Sequence, residues 1–283
     1  MLAADPAAAA RLAQGHSHDP GVIVIASAEQ LRRQPYWLAT HRPLSGLYFI
    51  LPLVIAYELA LLAMQLGLFG LANPVLAYQL VHDAFSWFGA TRLWLPGLAV
   101  PIIFLFWHLS TREPWAIRPH VVSGMWMESF LLAVPIFALH GLLAEQLLAA
   151  GGTVLTAGSL DVGTWQRLLS SLTLSIGAGI YEELVFRLVL MAIFSMLICD
   201  LCCLPRWVGL SVGAVASGLI FSMYHYMGAE SYAPHSFYFR WLAGVYLAAI
   251  FCLRGFGMAV GTHAAYDILA VLLMAWPQAA REA

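Results

Sequence analysis

Long apolar stretches separated by short polar connections set the pattern of this chain from about residue 40 onward. A helix needs about 20 apolar residues to cross a hydrocarbon layer of roughly 30 Å. Runs of that character cover 44–69, 95–109, 122–148, 165–198, 208–226, 237–253 and 256–276. They predict an all-α, polytopic membrane bundle of about seven to eight transmembrane helices. Two pieces need separate treatment. Residues 72–90 carry Gln79, His82 and Asp83 and suit a helix lying at the interface. The run 165–198 is too long for one upright span, so it either begins as a surface helix and turns inward near Gly177 and Gly179, or hides two passes.

Composition strengthens the membrane reading. Of 283 residues, 61% are hydrophobic and only 10% charged, too little polar surface for a soluble protein of this size. The net charge of -2 is spread out, which excludes a nucleic-acid face. The basic residues are all arginine, and with the abundant alanine this suggests a GC-rich bacterial genome and hence a bacterial inner (cytoplasmic) membrane. Residues 1–40 read as a flexible N-terminal tail, with His16 and His18 inert and a short apolar patch at 21–28 that lacks the form of a secretory signal. Residues 41–283 read as a single membrane domain. Arginine counting places the tail, Arg112, Arg118, Arg206 and Arg254 on one side and Arg92, Arg167, Arg240 and Arg281 on the other, which favours a cytoplasmic N-terminus. Cys199, Cys202 and Cys203 read as small residues at a helix end rather than metal ligands or a disulfide.

Charged side chains inside a membrane cost a few kcal/mol each and are kept where they pair or do work. They concentrate in Tyr181-Glu182-Glu183-Leu184-Val185-Phe186-Arg187. Glu183 and Arg187, four residues apart, fall on one helical face and can neutralise each other. Glu182 points about 100° away and is free to face a cavity and a water molecule. In the next span, Phe221 and His225 share a face with Gly218. In the last, His263 and Asp267 are one turn apart. Gly257 and Gly261 precede that pair, and Gly209 and Gly213 precede His225, at a spacing that lets helices approach closely. Close approach would gather the four groups around one point. His108, His140 and Glu145, on early spans, are candidates for lining a cavity but read rather as packed or interfacial, and Tyr36, Trp37 and Trp276 as interface anchors. Ser222, three residues from His225 on one helix, does not form a serine-protease triad.

The succession E-E-x-x-x-R, F-x-x-x-H and H-x-x-x-D, seven fixed positions on late membrane helices, resembles the CAAX-protease and bacteriocin-processing family of intramembrane proteases. The likeness spans 165–276. It implies an intramembrane endopeptidase acting on a membrane-anchored protein or peptide within the lipid bilayer, with glutamate chemistry that needs no cofactor. Residue by residue, it implies that Glu182 and His225 activate water, that His263 and residue 267 stabilise the oxyanion, and that Glu183 and Arg187 support the site. Relatives often carry asparagine where this chain has Asp267. A carboxylate cannot stabilise an oxyanion, so Asp267 either is protonated in a low-dielectric site or orients His263 as a hydrogen-bond acceptor, and the second role is the expected one. Two other uses of the same residues stay open: zinc ligation by Glu182, His225, His263 and Asp267 in a zinc-dependent protease, and a proton relay in a coupled transporter.

Overall fold

The computed structural model of the protein describes residues 34–68, 74–92, 94–149, 164–227 and 231–282. His16, His18 and the 21–28 patch lie outside the described residues, as do the side chains of Glu145 and Trp276. Every regular element is helical: α1 (Tyr36–Ala39), α2 (Pro43–Gln65), α3 (Leu76–Ser86), α4 (Leu95–Thr111), α5 (Pro119–Ala149), α6 (Trp165–Leu201), α7 (Arg206–Tyr224), α8 (Pro234–Arg254) and α9 (Phe256–Glu282). No strand occurs among the described residues. The chain is an integral, multi-pass membrane protein, with α2 and α5 to α9 each containing a stretch long and apolar enough to span a bilayer. Helix α4 is apolar but shorter, at 17 residues. It reaches roughly 25 Å at 1.5 Å per residue. Pro52, Pro101 and Pro135 sit inside spans, where neighbouring helices tolerate them.

Helix α6 corrects one expectation. Residues 165–198 neither turn inward near Gly177 and Gly179 nor divide into two passes; the helix runs on continuously to Leu201. Its roughly 55 Å length exceeds a bilayer core. Glu183 is followed at once by a wide-turned π-helical stretch, Leu184–Leu190, and a second covers Met196–Leu201. Such turns are frequent at functional sites. Gly179 serves packing instead of a bend. A Cβ there would lie 2.8 Å from the Ala264 Cβ and 2.9 Å from the Ala264 nitrogen, so this glycine lets α6 and α9 approach backbone to backbone.

The glycines preceding the histidines give the expected close contacts, each with its own neighbour. Gly257 faces Met125, Gly261 faces Phe49 and Ser129, and Gly209 faces Cys199, so they seat their helices on α5, α2 and the end of α6. The close approach of α7 to α8 is made by Gly218 against Gly244. Helix α3 buries Ala77 and Tyr78. The Tyr78 ring packs against Tyr57 at 5.7 Å and edge-on to Tyr181 at 5.0 Å. The polar residues of 72–90 therefore mark one face of a helix docked on α2 and α6.

The last part of the expected tail is tied down. The Thr40 hydroxyl donates to the Arg254 carbonyl at 3.1 Å, and the Tyr36 hydroxyl to Glu128 at 2.7 Å. Arg42 donates to Glu113 and to the carbonyls of Ala116 and Pro114. Tyr36, read as an interface anchor, is thus part of a polar cluster at the helix ends.

Candidate active site

The site begins with a buried ion pair. Glu183 and Arg187 are both fully buried, with Arg187 Nε 3.0 Å from Glu183 Oε2. Arg187 also donates from Nη2 to the Gly244 carbonyl at 3.1 Å, and its guanidinium lies 4.7 Å over the Phe221 ring. One arginine of α6 thereby binds α8 through a backbone carbonyl and α7 through a cation–π contact. Ser217 adds a hydrogen bond from α7 to the Phe186 carbonyl.

The other Glu183 oxygen holds a histidine. His263 Nδ1 lies 2.8 Å from Glu183 Oε1. In its ion pair with Arg187, Glu183 accepts from Nδ1–H, and the opposite nitrogen Nε2 faces the centre of the site. This corrects the expected arrangement, because His263 is oriented by Glu183 and not by Asp267. Asp267 Oδ2 lies 3.6 Å from His263 Nε2, too far for a hydrogen bond and on the ring edge opposite the one Glu183 holds.

His225 is fixed by its own helix. Its Nδ1 is 2.8 Å from the Phe221 carbonyl, which can only accept, so Nδ1 is the protonated nitrogen and Nε2 carries the lone pair in the neutral ring. Phe221, the aromatic position of the F-x-x-x-H motif, packs edge-on against His225 at 4.8 Å and His263 at 5.8 Å. It also lies beneath Arg187. The sequence offered Phe221 as a motif position; its physical role is a wall shared by both imidazoles and the guanidinium.

Glu182 stands where these elements meet. Its Oε2 lies 3.9 Å from His225 Nε2 and 3.9 Å from His263 Nε2. The Glu182 side chain is 7% exposed and the His225 side chain 23% exposed, so the group is screened from bulk solvent yet reachable. Gaps just under 4 Å between polar atoms suit a bridging water. A cavity of about 440 Å³ opens beside Glu182, His225, His263 and Asp267, with apolar walls from Ile136, Ala178 and Leu247. Among the described residues, no three His, Cys, Asp or Glu side chains form a group able to hold a metal.

Three expectations about neighbouring residues resolve here. Ser222 is buried and donates to the Phe237 carbonyl, away from His225. His108 is buried against Trp115. His140, expected to be packed or interfacial, lines the cavity, with Nδ1 2.8 Å from the Tyr266 hydroxyl. Tyr266, His235 and Arg240 also line it and carried no signal in the sequence, since an aromatic or basic residue in a late span has no distinctive spacing.

A family model described as Rce1-like, Type II CAAX prenyl endopeptidase, matches residues 164–269. The match covers less than half of the chain, begins with α6 and takes in all seven motif positions. Comparison with curated proteins gave no match, and neither did comparison with solved structures. The motif-bearing part of the chain is thus similar to the CAAX-type endopeptidases, as its motifs indicated. The match supports a peptide hydrolase in this membrane protein and implies a membrane-associated peptide as the class of substrate.

Proposed function

We propose that this chain is a glutamate-dependent intramembrane endopeptidase of a bacterial cytoplasmic membrane, hydrolysing a peptide bond with water activated by Glu182 and His225, within a single membrane domain. The observation that carries the reading is the pair of acceptors facing one gap: Glu182 Oε2 and His225 Nε2 lie 3.9 Å apart. The His225 tautomer leaves a lone pair on Nε2, so a water placed between them donates one O–H to each and turns its oxygen toward a scissile carbonyl. Glu182 takes the water proton as the C–O bond forms. When the tetrahedral intermediate collapses, the carbonyl reforms, the C–N bond breaks and Glu182 returns the proton to the leaving amine. His263, held by Glu183, presents Nε2 toward the developing oxyanion and acts as a donor when the ring carries both protons. Glu182, Glu183 and Asp267 all lie within 4 Å of that ring and stabilise its charge. The chemistry requires no metal.

The test is a purified, liposome-reconstituted full chain. The first probe is a quenched fluorescent peptide bearing a prenylated cysteine near its C-terminus, the class named in the matched family description. A comparison of membrane proteomes with and without active chain supplies further substrates. Glu182→Gln is expected to remove about 10²–10⁴-fold of the turnover while leaving the melting temperature unchanged. Full turnover by the folded variant, or proton-coupled solute flux without any proteolysis, would overturn the reading.

A further inference from the structure

The oxyanion side of the site is short of a donor. Oxyanion stabilisation depends on preorganised donors aimed at the developing charge, and backbone or side-chain N–H and O–H groups supply them. An ionised Asp267 only accepts, and its oxygen faces His263 Nε2 at 3.6 Å. One residue earlier, Tyr266 is 9% exposed and lines the same cavity. It is three residues from His263, on the same face of α9. Its ring is clamped by Phe137 at 4.8 Å and Phe239 at 5.8 Å. Its hydroxyl lies 2.8 Å from His140 Nδ1, and the His140 ring in turn packs on Phe239 at 4.9 Å.

We infer that Tyr266, held by His140, donates to the oxyanion the hydrogen bond that the carboxylate at position 267 cannot. The inference rests on the hydrolytic reading above. A phenol oxygen both accepts and donates. When Nδ1–H of His140 donates to that oxygen, the Tyr266 proton is left to point into the cavity. As water adds to the carbonyl carbon, the carbonyl π electrons move onto oxygen and the Tyr266 O–H hydrogen-bonds to the resulting charge. The proton stays on Tyr266 throughout, and the bond lengthens again when the carbonyl reforms. Tyr266 is then a catalytic residue and His140 a positioning residue acting through it.

Tyr266→Phe keeps the ring packing and removes only the hydroxyl. The expected result with the reconstituted chain and a cleaved peptide is a kcat about 10²–10³-fold lower. KM and the melting temperature stay at their wild-type values. A peptidyl trifluoromethyl ketone, whose hydrate mimics the tetrahedral intermediate, should bind more weakly to Tyr266→Phe by the same factor as kcat falls, with affinity for the parent peptide retained. His140→Asn, which keeps an N–H donor near the Nδ1 position, should retain more kcat than His140→Ala. Wild-type kcat in Tyr266→Phe overturns the inference. So does a parallel fall in kcat and melting temperature, which assigns the His140–Tyr266 pair to joining α5 with α9. Glu182→Gln assayed alongside separates the two levels. An inactive Glu182→Gln beside a fully active Tyr266→Phe removes the inference and leaves the hydrolytic reading, whereas an active Glu182→Gln removes the hydrolytic reading itself.

Discussion

Two carboxylate clusters in this molecule are built on opposite plans. At the helix ends, Glu128 of α5 is saturated: Arg254 donates to both of its oxygens, one at 2.8 Å, and the Tyr36 hydroxyl donates to Oε2 at 2.7 Å. The Arg254 guanidinium also lies 5.3 Å over the Tyr36 ring. In the bundle interior, the Tyr224 hydroxyl hydrogen-bonds to Glu182 while the two imidazole nitrogens aimed at the carboxylate each stay 3.9 Å away. A cluster whose task is to join α1, α5 and α8 pairs its carboxylate at both oxygens. A cluster arranged around a reacting molecule keeps the gaps open. The neighbouring Glu183 is held from both sides although it sits in the second place, with one oxygen in ion-pair contact with Arg187 and the other hydrogen-bonded to His263. Two adjacent glutamates thus divide between holding and acting.

The comparison can be broken most forcefully at its buried ion pair. Arg187→Met leaves Glu183 buried without its cation, and breaking a buried pair from one side costs about 3–5 kcal/mol. The expected outcome in a denaturation series is a large loss of stability together with all activity, because Glu183, which orients His263, loses the cation that holds it. A variant that melted like wild type would show that Glu183 is not held by Arg187.

A smaller effect is expected from Gly179→Ala. The added methyl would lie 3.0 Å or less from the Ala264 nitrogen, the Ala264 Cβ and the Val260 carbonyl oxygen, mostly unyielding backbone. Overpacking of this kind costs about 1–3 kcal/mol. Because α9 carries His263 and Asp267, the outward shift should lower kcat even at temperatures where the variant is folded. Unchanged kinetics at those temperatures would place the α6–α9 contact outside the determinants of catalysis.

The smallest effect expected is none. If water is activated by Glu182 and His225, prolonged chelation leaves turnover at its starting value, and metal analysis of the active protein finds no stoichiometric zinc. Loss of activity with loss of zinc, restored by adding the metal back, would replace the glutamate reading with zinc ligation by the same residues.

Much of the fold was legible in the apolar runs, because membrane spans announce themselves by length and composition, and the run 256–276 begins at the same residue as α9. The continuity of α6 was not legible. A 37-residue apolar run is ambiguous until its neighbours are known, and Gly177 and Gly179 look alike whether they allow a bend or a close contact. The grouping of Glu182, His225, His263 and Asp267 was legible because charged residues are rare in spans and their order matched a known set of motifs. The partner of His263 was not. Helical spacing favours Asp267, one turn away, while the contact that forms is with Glu183, 80 residues distant in sequence. Long-range hydrogen bonds of that kind depend on helix packing, which one sequence does not display. The pairing of Tyr266 with His140 was hidden for the same reason, as they meet across 126 residues.

The two carboxylate clusters give the most direct test. Glu182→Gln and Glu128→Gln are purified and reconstituted side by side, and turnover and melting temperature are read on each. Glu182→Gln is expected to lose turnover at a wild-type melting temperature, and Glu128→Gln to melt earlier while its folded fraction turns over at the wild-type rate. Retained turnover in Glu182→Gln, or loss of both properties together in each variant, would contradict the division between the open cluster and the closed one.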